Sequence, residues 1–123
     1  MQFTVLSLSE AEPAYRSIIQ ANHGSVIQQM FTDVSQQVSD YAGQTSPDVG
    51  VTGSPCNPFS SQRAKRWVEG DVACHKDFQT TMTSVIQFYA NVEPKLGITE
   101  QVSGFNQPFS QNNRQTPLQQ LLG

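Results

Sequence analysis

A chain of 123 residues suits one compact domain spanning residues 1–123, with too little length for a second core. Charged residues make up 14% and the net charge is −3. General nucleic-acid binding, which needs clustered cations, is therefore disfavoured, and no nucleic-acid partner is expected. The basic cluster Arg63, Lys65 and Arg66 reads as a solvated helix face. No apolar run approaches the roughly 20 residues of a membrane span. The start lacks a basic leader, so no cleavable signal peptide is expected. The implied location is the cytoplasm, or a virion or exported apparatus reached by another route.

Residues 1–9 form a short apolar arm. Ser7 or Ser9, with Glu10 or Glu12 three residues on and Pro13 in the first turn, mark a helix start near residues 10 to 13. Gly24 interrupts that helix, and Ser25 opens the next. Val26, Ile27, Met30, Phe31, Val34, Val38 and Tyr41 recur at steps of three and four, which predicts an amphipathic second helix; the two helices occupy residues 10–41. Residues 42–60 carry Gly43, Pro47, Gly50, Gly53, Pro55 and Pro58 and read as a long loop.

Ser60 or Ser61 caps the longest predicted helix, within 61–93, on the strength of two seven-residue series: Ala64, Asp71, Phe78, Val85 and Val92, and Val68, His75, Met82 and Tyr89. Gly70 marks a weak point in it, and Pro94 ends it. Residues 94–123 read as an extended tail, with Thr116-Pro117 starting a helix of one or two turns. The expected fold is all-α: a small helical bundle or bent helical hairpin with a long middle loop and an extended C-terminal tail.

Chemistry is sparse in this reading. Asp71 and His75 lie one helical turn apart on an apolar face and are expected to be a buried polar pair, with an enzyme or metal site centred on them as an alternative. Cys74 is adjacent, but on a helix its thiol would point about 100 degrees away from His75. Ligand spacing for a metal is missing, so neither a metal nor a cofactor is expected. Cys56 and Cys74 could form one disulfide, worth about 3 kcal/mol if made. Asn57-Pro58-Phe59-Ser60 and Gln107-Pro108-Phe109-Ser110 resemble one another, each presenting Phe directly after Pro.

The expected function is non-enzymatic. The low charge and amide-rich composition suggest a structural or assembly subunit of a virion, secretion or surface apparatus, acting through a protein partner or self-association. Phe59, Trp67, Phe105, Phe109, Leu118, Leu121 and Leu122 are its expected contact residues. A monomeric binding protein, such as an inhibitor or immunity factor, is the second possibility.

Overall fold

The structure, a computed structural model, describes residues 3–41 and 44–123. Met1 and Gln2 of the expected N-terminal arm, and Ala42 and Gly43 at the start of the expected middle loop, lie outside the described residues. Helices and parallel strands are mixed, so the expectation of an all-α bundle is corrected to an α/β architecture.

Strand β1, Val5–Ser9, runs from the first apolar stretch and pairs in parallel with β2, Ile27–Phe31, in the register Val5↔Ile27 to Ser9↔Phe31. A parallel pair needs a crossover, and helix α1, Pro13–His23, supplies it. Glu12 caps α1 in place of the expected Ser7 or Ser9, which lie in β1, and Pro13 fills the first turn, where a missing amide hydrogen does no harm. Residues 27–31 were expected to be helical. Their apolar residues, Ile27 at one end and Met30 and Phe31 at the other, fit both periods over so short a run, and the ladder to β1 decides for the strand. Helix α2, Val34–Tyr41, keeps only the second half of the expected helix.

The glycine-rich stretch expected to be loop contains β3, Val49–Gly53, and the expected tail contains β4, Leu96–Glu100. These two also pair in parallel, from Val49↔Leu96 to Gly53↔Glu100. Their glycines allow close helix packing. A Cβ on Gly50 would stand 2.8 Å from Pro94 Cγ, and one on Gly97 would stand 2.9 Å from Tyr89 Cε1. The Tyr89 hydroxyl ties helix to sheet by donating to the Ile98 carbonyl at 2.9 Å, while lying 3.0 and 2.9 Å from the Thr52 and Thr99 hydroxyls.

The single helix expected over 61–92 is broken. Backbone bonds three residues apart, from Arg63, Arg66, Val68 and Asp71, wind residues 60–71 into successive turns. Gly70 adopts φ +74, a left-handed value that a side chain would strain, and helix α3, Asp71–Cys74, follows. A π-helical turn, Thr80–Val85, leads into helix α4, Ile86–Val92. Helix α5, Pro117–Leu122, starts on a reciprocal capping box between Thr116 and Gln119.

Two apolar clusters hold these elements. Val38 and Tyr41 of α2 meet Phe88 and Val92 of α4, with Leu6 of β1 packed against them. One helical layer thus backs both strand pairs. Phe59, Val72, Met82 and Phe105 form the second cluster, joined by Phe78, Phe109, Leu118 and Leu121. It sits beneath the segments that leave β3 and β4.

Candidate functional site

In open parallel sheets, ligands meet the protein beyond the carboxyl ends of the strands. Here β3 ends at Gly53 and β4 at Glu100, side by side in register. Ser54-Pro55-Cys56 leaves one strand and Gln101-Val102 leaves the other, so a partly exposed thiol and an exposed carboxylate emerge at the same sheet end.

The backbone around Cys56 is held at each residue. The Gln101 side-chain amide donates to the Ser54 carbonyl at 3.0 Å and to its hydroxyl at 2.8 Å. The buried Thr81 hydroxyl, from the π-helical turn, donates to the Pro55 carbonyl at 3.1 Å. The Cys56 carbonyl accepts from the amides of Phe59 and Ser60 at 3.0 and 3.1 Å, which closes a 3-10 turn over Asn57–Phe59. Phe59 then anchors the turn: it is 0% exposed, and its ring meets Phe105 edge-on at 4.8 Å. This is a thiol on a fixed backbone, not a loop cysteine awaiting a partner.

The family model for C-5 cytosine-specific DNA methylase matches residues 1–122. The chain belongs to that family. No curated protein and no solved structure matches it. Membership corrects the expected function: the family is one of methyltransferase enzymes, so neither the non-enzymatic assembly subunit nor the inhibitor or immunity factor stands, and an enzyme centred on Asp71 and His75 is not supported either. It also corrects the expectation of no nucleic-acid partner, because the family acts on DNA. Net charge averages over the whole surface and does not report on one strand end. No helix among the described residues is long and apolar enough to cross a membrane.

Of the residues singled out from the sequence, Cys56 and Phe59 build this strand end, and Asp71, His75, Cys74, Trp67 and Leu122 take no part in the turn that holds the thiol. Asp71 pairs with Arg63, and His75 Nδ1 lies 3.7 Å from the Asp77 carboxylate, so Asp71 and His75 have separate partners. Cys56 and Cys74 are free thiols, the first half-buried and the second exposed. Phe59 and Phe105 are buried, and Phe109, Leu118 and Leu121 pack on the same cluster. Trp67 at 48% exposure and Leu122 at 78% remain open to solvent. Among the described residues, no group of three or more His, Cys, Asp or Glu could hold a metal ion.

Sequence reasoning passed over Glu100 and treated Cys56 only as half of a disulfide. The available signal was positional: Val49-Gly50-Val51-Thr52-Gly53 before Cys56, and Leu96-Gly97-Ile98-Thr99 before Glu100, are short β-rich runs that each deliver a reactive group at their ends. The glycines hid both runs, because glycine reads as a breaker until the helix packed against it is seen.

Arg66 was read as part of a solvated face and is instead 0% exposed. Burial, followed by the neighbouring charge of Arg63, lowers its pKa from the ordinary guanidinium value. The Trp67 ring lies over its guanidinium carbon at 4.8 Å.

Proposed function

We propose that this chain methylates cytosine at ring carbon 5 in DNA, with Cys56 as nucleophile and Glu100 as the carboxyl group that faces the base. The observation that carries the reading is the in-register pairing of Gly53 with Glu100, which brings the Cys56 turn and that carboxylate to one sheet end.

Carbon 5 of cytosine is a weak nucleophile until the 5,6 double bond is opened. The Cys56 thiolate forms a bond to carbon 6, and the displaced electron pair becomes available at carbon 5. Glu100 holds a proton at ring nitrogen 3, where charge builds during the addition. Carbon 5 then takes the methyl group. Loss of its proton to solvent returns the electron pair, which expels the Cys56 thiolate. Enclosing the base at a strand end requires it to leave the helical stack, as is general for enzymes that do chemistry on a base.

A sulfonium donor held near Glu10 would supply the methyl group as an electrophile, its sulfur leaving as a neutral thioether. Glu10 suits the sugar of a nucleoside-type donor: it stands half-buried at the carboxyl end of β1, its carboxylate accepting from the Glu12 amide at 2.7 Å.

The test is transfer of a labelled methyl group to a duplex rich in cytosine. Wild-type chain should label the DNA, Cys56→Ser should lose transfer by at least about 10³-fold, and Glu100→Gln by about 10²-fold or more. Undiminished transfer by Cys56→Ser would overturn the assignment.

A further inference from the structure

The two similar tetrapeptides, 57–60 and 107–110, find a common partner in Arg66. Its Nε donates to the Phe59 carbonyl at 3.2 Å, and Nη1 donates to the Phe109 carbonyl at 3.1 Å. Nη2 shares its hydrogens among the carbonyls of Gly104, Gln107 and Pro108 at 3.2, 3.3 and 3.0 Å. No carboxylate contributes to this set. A buried cation normally needs a counter-charge, so satisfying a guanidinium with five carbonyls fixes each of them relative to the others. The fork geometry of arginine can do this, and the point charge of lysine cannot.

The carbonyls come from two segments with separate origins. Phe59 follows Cys56 by three residues, and Gly104 follows Glu100 by four. The segments touch so closely that a Cβ on Gly104 would stand 1.9 Å from the Phe59 oxygen. Beyond the last strand pair, the polar ties between them among the described residues are Gln101 to Ser54 and the Arg66 fork.

We infer that Arg66 is a positioning residue for the reaction: its guanidinium locks the turn after Cys56 to the segment after Glu100 and so sets the placement of thiol against carboxylate. This rests on the proposed roles of Cys56 and Glu100. Arg66 touches no reacting atom; it acts through the backbone of both segments.

The test compares wild-type chain, Arg66→Lys and Cys56→Ser by two readouts. The first is amide hydrogen exchange over residues 54–60 and 102–109. The second is solvent-deuterium incorporation at carbon 5 of cytosine in DNA, which reports thiol addition without a methyl donor. Arg66→Lys should speed amide exchange in both segments together by at least tenfold while β1 and β2 keep their protection. It should slow deuterium incorporation at saturating DNA by at least tenfold, with the half-saturating DNA concentration unchanged within twofold. Protection retained in either segment, loosening spread evenly over the chain, or a loss confined to the half-saturating concentration overturns the inference. Wild-type incorporation that Arg66→Lys leaves intact overturns the inference alone. Wild-type incorporation no faster than that of Cys56→Ser overturns the reading of Cys56 and the inference with it. Should Arg66→Lys not fold, Arg66→Ala with added ethylguanidinium decides: restored incorporation that ethylammonium does not reproduce supports the fork, and an equal or absent response to the two cations overturns it.

Discussion

The side-chain amide of Gln101 spends both of its hydrogens on one residue, Ser54, donating to its carbonyl at 3.0 Å and its hydroxyl at 2.8 Å. Ser54 lies two residues before Cys56, so the residue after Glu100 steadies the approach to the thiol. Gln101→Leu should leave the Ser54 carbonyl without this donor and cost about 1–3 kcal/mol in urea unfolding. Methyl transfer measured in single turnovers should fall by about tenfold or more, because a small displacement of a reacting group is costly.

Two aromatic residues expected as contacts should differ widely in what their removal costs. Phe59 is 0% exposed inside the second cluster, and Phe59→Ala should cost about 3–5 kcal/mol. Trp67 is half-exposed, and its replacement by Ala should change stability by about 0.5 kcal/mol at most. Equilibrium denaturation of the two variants checks both; equal losses would contradict the placement of Phe59 in the core.

Gly104→Ala should be among the most damaging single-methyl additions in the chain. The new carbon would meet the Phe59 backbone oxygen, which the Arg66 fork prevents from moving aside. Overpacking against backbone should cost about 3 kcal/mol or more, read as a lower midpoint in urea. Gly53→Ala, where a Cβ meets nothing within 4 Å, is the control and should lose far less.

Asp33 caps α2, accepting from the Ser35 amide at 2.6 Å and from the Ser35 hydroxyl. The hydroxyl bond, then the amide bond, lowers its pKa below 3.8. A depressed folded value means that the unfolded chain takes up the proton first as pH falls. The cap's contribution is thus full at pH values well above 3.8 and declines as pH falls through 3.8 and the lower folded value. Asp33→Ala should lose about 1 kcal/mol at pH 7, and the gap to wild type in thermal melts should narrow below pH 3.8.

Local chemistry was legible where a residue's conformation depends on its near neighbours. Pro13 with Glu12, and Thr116-Pro117 with Gln119, mark helix starts that the structure contains, because capping closes within a few residues. Gly70 marked a break for the same reason. Ile27–Phe31 was misread because five residues fit two periods, and only the distant partner Val5–Ser9 chooses between them. The π-helical turn and the winding of residues 60–71 were invisible behind an apparent seven-residue repeat. That repeat places Val68 on the same stripe as Met82, yet Val68 is exposed and Met82 is buried.

By itself the sequence determined the helix starts at Pro13 and Pro117, the break at Gly70 and the lack of a membrane-length apolar run, which follow from covalent geometry, short-range hydrogen bonding and composition. The tertiary structure decided the parallel pairing of β3 with β4, the delivery of the Cys56 turn and of Glu100 to one sheet end and the burial of Arg66 among carbonyls from two distant segments. Each of those joins residues about 40 positions apart, and hydrophobic closure of the helical layer over the strands, not local preference, brings them together.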